Sequence, residues 1–481
     1  MRHKIVLYNP RAVFWTMPLA LLAIASALDR AKYEVVIVDG RLHSTETLLS
    51  QLDDALCLGV TVLTGAPLRD ALEITRAARV HRPDLPVIWG GWHPSLFPEM
   101  CARESAVTAA VMGQGEETFI EILDRLAAGE SFQGVFGCAF NEGQGTVITN
   151  SSASALASAF INPPRPMRDI NEFPRHDYSF IPVEDYFKLK GQRQLDYISS
   201  QGCRFRCNFC ADPAVYNRGW YGYTPERMVS ELAGLWRQYH FTDLGLQDET
   251  YFTQQKRVAA IAEGFLREGL QFTWTGTLRA DQGRRIDDAT FALCKSSGLR
   301  RVMIGLEAGS QETIDHIQKD IKVEDMWITA EKLIRHNIGA IINVIVGFPG
   351  EPPESVTESL RVARDLRAMS SNFELAVFYF KPYPGNPIAE RLKAQNYRFP
   401  ASLEEWADFD YIGSSNEWLT DAQKREIEHF KFYQRFAYSG NRNPLRWPLQ
   451  TLSRWRVERR AYALPIDRAL VEWLKPAQAL S

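Results

Sequence analysis

Twice along this chain, short apolar runs alternate with stretches of helical period, and that alternation restricts the fold more than any single motif. From Lys4 to about Leu126 the runs KIVLYN, EVVIVD, LCLGVTVL, PVIWGG and VTAAVMG end in turn formers or small polar residues, at Asn9-Pro10, Asp39-Gly40, Thr64-Gly65, Gly90-Gly91 and Gly113-Gln114-Gly115. The pattern predicts a parallel sheet covered by helices. Ligands of such sheets lie beyond the carboxyl ends of the strands, where strand order reverses. A second alternation predicts strands at 195–200, 243–247, 272–276, 301–306, 341–346 and 374–380. Six such units make an incomplete (β/α) barrel, with chemistry at the strand C-termini. The α/β organisation is therefore a sheet domain over 1–140, a Ser- and Pro-rich connection over 141–191, a partial barrel over 192–398, and a helical, aromatic region over 399–481.

The first barrel strand leads into SSQGCRFRCNFCADP, which sets Cys203, Cys207 and Cys210 at C-x3-C-x2-C in a chain with seven cysteines. An odd number with three clustered is not a secreted disulfide framework, and clustered thiols in a reducing compartment hold metal. Zinc sites are commonly built from cysteine pairs or from pairs with a nearby histidine, whereas the closest histidines here are His176 and His240. An iron–sulfur cubane normally takes four cysteines. Three leave one iron open to a small molecule, so a cluster fits the set better than the zinc alternative.

With Phe209 immediately before the last cysteine, the motif resembles the signature of the radical S-adenosylmethionine (SAM) superfamily. The resemblance implies that Cys203, Cys207 and Cys210 hold a [4Fe-4S] cluster whose open iron binds the amino and carboxylate groups of SAM. It also implies an external electron donor such as flavodoxin or ferredoxin, and reductive cleavage of SAM to a 5′-deoxyadenosyl radical. The segments LQDETY, TLRAD, IGLEAGS, NVIVGFPGE and KPYPGNP resemble, in order, those following the strands of the cobalamin-binding branch. By that resemblance Asp248 and Glu249 lie near the SAM amine, Arg279 and Glu307 near its carboxylate and ribose, and the Val346 to Pro349 backbone, Gly347 included, near adenine. The bland reading is that these charges cap helices or pair with one another, and that Glu351 starts the next helix. Tyr383 is a candidate radical relay or substrate contact, against a turn-shaping role between prolines. Cys57, Cys101, Cys138 and Cys294 are expected in the core.

No G-x-G-x-x-G follows the first strand, which weighs against a dinucleotide. Instead IWGGWHPSLFPE and VMGQGEETF resemble Rossmann-like (flavodoxin-like) B12-binding domains fused ahead of radical SAM barrels. The resemblance implies cobalamin contacts at Thr64, Gly90, Gly91, His93, Gly113, Gly115 and Glu116. Many such domains carry D-x-H-x-x-G after the first strand, the histidine serving as lower cobalt ligand. Here that loop is NPRAVFWTMP, without histidine, and residues 11–16 are expected to cover that face; His43 is a poor substitute.

A formal charge of -3 gives no field to attract a nucleic acid. The longest early apolar stretch, Pro18 to Leu28, is short of the roughly 20 residues a membrane span needs, and a cytoplasmic protein without a transmembrane segment is expected. Trp447 and Trp455 with Arg446, Arg454, Arg456, Arg459 and Arg460 admit peripheral lipid contact; the alternative is packed tryptophans and solvated or paired arginines. A radical generator aimed at a corrinoid suits methylation of an unactivated carbon on a small-molecule substrate. The same architecture also serves oxidative cyclases of the anaerobic Mg-protoporphyrin monomethyl ester type. A non-enzymatic iron–sulfur and corrinoid carrier or sensor fits the cysteines but leaves the polar residues at successive strand ends unexplained.

Overall fold

The computed structural model of the protein describes residues 2–141, 159–409, 417–440, 446–463 and 465–468. The N-terminal sheet contains β1 (His3–Asn9), β2 (Tyr33–Asp39), β3 (Ala55–Thr61), β4 (Val87–Gly90), β5 (Ala109–Val111), β6 (Cys138–Asn141) and β7 (Ala159–Ile161), in the order β2-β1-β3-β4-β5-β6-β7. Strands β1 to β5 run parallel, while β6 and β7 are antiparallel additions at the edge. Helices cover both faces, so strand residues are apolar without a break. In β1, Ile5 and Leu7 enter one apolar cluster and Val6 and Tyr8 the other, each such burial stabilising by roughly 1.5–3 kcal/mol. Strand order reverses at β1, and the crevice that opens there faces the second domain.

The second domain starts with β8 (Gln194–Tyr197), then a two-stranded antiparallel ribbon of β9 (Ser200–Gly202) and β10 (Trp220–Gly222). It continues through β11 (Asp243–Leu246), β12 (Thr273–Arg279), β13 (Leu299–Glu307), β14 (Gly339–Val346) and β15 (Phe373–Tyr379). The six strands β8 and β11 to β15 pair in parallel in chain order, an open arc of barrel. The expected single strand at 195–200 is broken in two, because the Asp248 carboxylate takes the backbone N–H groups of Ser199 and Ser200 (2.6 and 2.9 Å) and turns the chain. The first helix beyond the ribbon, Pro225–Tyr239, begins as its sequence predicts: the Thr224 hydroxyl accepts from the Arg227 N–H and proline fills the first turn.

Two features were not legible beforehand. The segment read as a connection supplies β7 and the helix Val183–Lys190; residues 142–158 of it lie outside the described residues. The C-terminal region also returns to the first domain. Its helix Leu403–Ala407 lies on the helix Ala66–His81, where the Gly65 N–H donates to the Trp406 carbonyl and Arg76 joins Glu404 to Glu104. The helices Asp421–Ala437 and Trp447–Arg459 pack on each other outside the barrel. No helix among the described residues is long and apolar enough to cross a membrane.

The two sheets present their carboxyl ends to each other. The Met17 N–H, after β1, donates to Asp196 of β8 (2.8 Å), and Gln114, after β5, donates to Gln201 of β9 (2.9 Å). Asp196 is buried and also paired with Lys190, so the clasp has a charged centre that water does not screen.

Candidate functional site

Between these ends lies a cavity of about 490 Å3, lined from the first domain by Asn9, Gly59, Thr61, Gly90, Gly91, Gly113, Gly115 and Glu116, and from the second by Gln201, Val215, Tyr216 and Gln247. The size lies within the usual range of small-molecule sites. At Gly91 the backbone has φ +100°, and a Cβ would stand 3.0–3.1 Å from Val62 and Thr61 atoms. Only glycine lets β3 and β4 approach there. Burial raises the pKa of Glu116, whose carboxyl bonds back to local backbone N–H groups.

The loop after β1 forms one wall through Ala12, Phe14, Thr16 and Met17. Three buried carboxylates fix it. Asp70 accepts from the Tyr8 hydroxyl and from the Arg11 N–H and Nε (2.7–2.8 Å); Asp39 holds Arg41, whose guanidinium donates to the Phe14 and Thr16 carbonyls; Asp196 accepts the Met17 N–H. This wall offers no imidazole, as the motif comparison implied.

Two expectations on this side are corrected. His93 and Thr64 do not line the cavity; they hydrogen-bond each other at 3.0 Å. The His93 ring lies against Phe97 and Trp406, fully buried, and desolvation lowers its pKa to about 3. Trp406 is the physical reason, since the returning C-terminal helix seals the turn that sequence leaves open. Trp92 of the same turn does reach the cavity and meets Tyr216 edge-on at 5.9 Å.

Tyr216 closes the helix Asp212–Tyr216 that follows the cysteine loop. The loop is stapled from several sides. Gly202, φ +85°, precedes Cys203 at a point where a Cβ would stand 2.3 Å from the Gly219 carbonyl oxygen. The Asn208 N–H donates to Ile317 O (3.0 Å) and its Nδ2 to His316 O (2.8 Å); Asn386 Nδ2 donates to Phe209 O (3.0 Å) while its Oδ1 caps the helix Pro387–Ala394. Asn386 belongs to the KPYPGNP segment, so the last motif of the barrel grips the first.

Cys207 is buried, and Cys203 and Cys210 are partly buried. Burial raises the pKa of Cys203 to about 11 and raises that of Cys210 well above the usual thiol range, with Asp212 and then the neighbouring cysteines adding to each, while Arg279 Nη1 donates to Cys207 Sγ at 3.4 Å. Among the described residues no three His, Cys, Asp or Glu side chains are gathered about a point that one metal ion could occupy. Arg279 lies over the Phe205 ring and Lys319 over the Phe209 ring, so the loop that carries the three cysteines is flanked by two cations.

Around them Arg279 donates to Lys319 O (2.6 Å), and Lys319 Nζ to Glu307 (2.5 Å). Glu307 sits at a register shift between β13 and β14 with φ +62°, a conformation costing a non-glycine residue roughly 1–2 kcal/mol. Glu249 carries a buried Oε2 with no hydrogen-bond partner among the described residues, and its pKa is raised by burial first and by Asp212 and Asp248 next. An unmatched acceptor of that kind suits a cationic ligand. At Gly347 the N–H is held by Glu351 Oε1 (2.7 Å), leaving Glu351 Oε2 buried without a partner.

Two more expectations change here. Asp248 accepts from the Ser199 and Ser200 N–H groups at Oδ1 and from the Ser199 hydroxyl at Oδ2, which makes it a staple of the turn and leaves Oδ2 one lone pair at most for an amine. Tyr383 packs edge-on against Phe409 at 5.7 Å and against the apolar cluster of the first domain, away from the cavity lining. Lys319, Asn208, Asn386, Arg41 and Tyr216 were missed; the N-P pair after Gly385 was the one sequence signal, a helix cap, that pointed at Asn386.

Residues 11–123 match the B12 binding domain family and residues 197–363 the Radical SAM superfamily. An uncharacterized methyltransferase of Pyrococcus horikoshii is 28% identical over 412 residues, 84% of this chain and 84% of its own length. The anaerobic magnesium-protoporphyrin IX monomethyl ester cyclase of Synechocystis is 24% identical over 339 residues, 69% of this chain and 64% of its own length. The solved structure of the radical S-adenosylmethionine methyltransferase TsrM of Kitasatospora setae superposes with a TM-score of 0.71 at 17% identity, over 98% of this chain and 100% of that one. A matched B12-binding domain, a matched barrel, and a cavity between them lined by residues on either side of the cysteine loop lead to one assignment: the chain belongs to the radical SAM superfamily, in the branch that carries a B12-binding domain ahead of the barrel.

Proposed function

We propose that the protein is a cobalamin-dependent radical SAM methyltransferase acting on an unactivated carbon of a small-molecule substrate. The observation that carries this reading is a single cavity walled by the carboxyl ends of both sheets, with Trp92 and Tyr216 meeting where the corrinoid side and the cysteine-loop side join. When bound, a [4Fe-4S] cluster supplies an electron to cleave S-adenosylmethionine, and cobalamin carries the methyl group. Cys203, Cys207 and Cys210 hold the first, with Arg279 setting positive charge beside Cys207. Glu249 offers its free carboxylate oxygen to the ammonium of SAM, and the Arg279, Lys319 and Glu307 array orients the rest. Gly90, Gly91, Gly113, Gly115 and Glu116 line the cavity that would hold the corrin, and the wall from Ala12 to Met17 would border it without offering an imidazole. Gln201, Gln247 and Tyr216 are the polar groups on the barrel side of the cavity that position substrate. The electron comes from an external donor of the flavodoxin or ferredoxin kind.

The test is anaerobic reconstitution with iron, sulfide and cobalamin, followed by reduction with SAM bearing a labelled methyl group. Formation of 5′-deoxyadenosine with transfer of the label to a carbon of the product supports the proposal. A hydroxylated or cyclised product without label instead establishes the cyclase chemistry that one relative suggests. Lack of 5′-deoxyadenosine from protein with an intact cluster leaves only a carrier.

A further inference from the structure

The helix Trp447–Arg459 is packed inside out. Its buried positions are Ser453, Arg456 and Val457, and the Arg456 guanidinium is matched by Asp467 and the carbonyls of Ala461 and Ala463. Facing outward are Trp447, 62% exposed, Trp455, 51% exposed, and Leu452, 36% exposed. Ordinary packing does the reverse, because burying an indole removes more apolar surface from water than any other side chain while burying an arginine demands that every donor be met. Trp447, Thr451 and Trp455 follow at i, i+4 and i+8 and so lie along one stripe. Arg446 and Arg459, both exposed, flank it with no acidic partner among the described residues, and Arg454 lies beside it with a 3.7 Å contact to Glu458 and the Tyr438 ring beneath. Of the five arginines in 446–460, Arg456 is matched by Asp467 and Arg460 by Glu426, which leaves Arg446, Arg454 and Arg459 as the cations beside the stripe.

We propose that this helix is an interfacial anchor that seats the protein on an anionic lipid surface. Tryptophan prefers the headgroup level, where its ring is half desolvated and its N–H still meets water. Arg446 and Arg459 beside it add attraction to anionic headgroups, and such side chains can lay their stems along an apolar stripe while the heads reach phosphate. A neutral protein partner would cover the indoles but leave these cations unmatched; an anionic bilayer meets both at once.

The test uses the full-length reconstituted protein in flotation assays with vesicles of phosphatidylcholine alone or with one third phosphatidylglycerol. The expected result is recovery with the anionic vesicles that falls at least tenfold in the double variant Trp447→Ala/Trp455→Ala. A several-fold fall, with loss of salt sensitivity, is expected in Arg446→Gln/Arg459→Gln. Both pairs are exposed, and unchanged corrinoid content in each variant shows that the fold survives. Equal recovery with neutral vesicles, no recovery with either, or unaltered recovery of the tryptophan variant overturns the proposal. So does a light-scattering result in which the tryptophan variant merely turns a dimer into a monomer, because the face is then covered by a second copy.

Discussion

Asp248 decides between two readings of one of the most buried carboxylates near the site. If it binds the amine of SAM, its charge matters; if it staples the turn between β8 and β9, its acceptor atoms matter. The Ser199 and Ser200 N–H groups both converge on Oδ1, and Oδ2 takes only the Ser199 hydroxyl, which also receives Arg257 Nη2 at 3.0 Å. An asparagine can therefore keep both backbone bonds through its carbonyl, while its amide donates to a serine oxygen that is free to accept. It also removes a charge whose burial raises the pKa of Asp248. Asp248→Asn is expected to melt within a few degrees of the parent and to keep its dependence on SAM concentration. Asp248→Ala leaves two buried N–H groups without an acceptor, at about 1–3 kcal/mol each, a total of about 2–6 kcal/mol. At about 2–4 °C per kcal/mol for a unit of this size, the melting temperature should drop by roughly 5–20 °C at a fixed scan rate. Scanning fluorimetry and 5′-deoxyadenosine formation against SAM concentration measure both quantities. A normal melt for Asp248→Asn with a tenfold or greater rise in the SAM requirement would refute the staple and restore the ligand role.

Replacing any one of Cys203, Cys207 or Cys210 by alanine is expected to remove most of the iron and all 5′-deoxyadenosine formation, read by metal analysis and electron paramagnetic resonance, whereas Cys294→Ala should keep both. Gly91→Val, with φ +100° and three neighbours within 3.1 Å of the new Cβ, should lower corrinoid retention severalfold; unchanged retention would show that the turn relaxes without moving the cavity wall. The Glu351 carboxyl has its pKa raised to about 7 by burial, so the folded state holds its proton more tightly than the unfolded chain does. Its contribution is favourable below the unfolded value near 4.5 and is lost as pH rises to about 7, on the order of 3 kcal/mol. Glu351→Gln, which keeps the bond to the Gly347 N–H, should accordingly match the parent near pH 4.5 and melt progressively higher than it up to pH 8. A difference that does not vary with pH would refute the shift.

What could be read from sequence is what local pattern controls. Apolar runs ending in turn formers or small polar residues placed β1 to β5, and the second alternation placed the six parallel strands of the second domain, although the first stops at Tyr197 and the third runs on to Arg279. The cysteine triplet needed no tertiary information, because its three ligands lie within one loop. Elsewhere the outcome depended on distant chain. His93 looks available in a glycine turn until Trp406 closes over it, and Asp248 looks like a mouth residue until the amides of Ser199 and Ser200 turn toward it. Lys319 follows a short helix with no motif of its own, yet it bridges Glu307 and Arg279. Strand β7 was hidden in a Ser-rich stretch because an edge strand of three residues has too short an alternation to register.

The position of Tyr216 links the two halves of the site mechanically. Cys210 and Tyr216 are separated by six residues, five of them in one turn of helix, or about 1.5 Å of rise per residue, and the far end of that turn is a wall of the cavity. On the other side Trp92 meets Tyr216 edge-on, and a Cβ at Gly113 would stand 3.8 Å from the Val215 carbonyl oxygen. Ordering the cysteine loop therefore fixes one side of the corrinoid cavity, and filling that cavity in turn restrains the helix that carries the loop. Two ligands that rigidify one segment each lower the entropic cost of the other's binding. Protein with Cys203→Ala, which lacks a cluster ligand yet leaves the helix sequence intact, should on this account bind cobalamin severalfold more weakly in equilibrium dialysis. Cobalamin-free protein should lose cluster absorbance faster in air than loaded protein does. Independent behaviour in both measurements would mean that the helix Asp212–Tyr216 is already rigid without either group, and that the domains share a cavity without sharing energy.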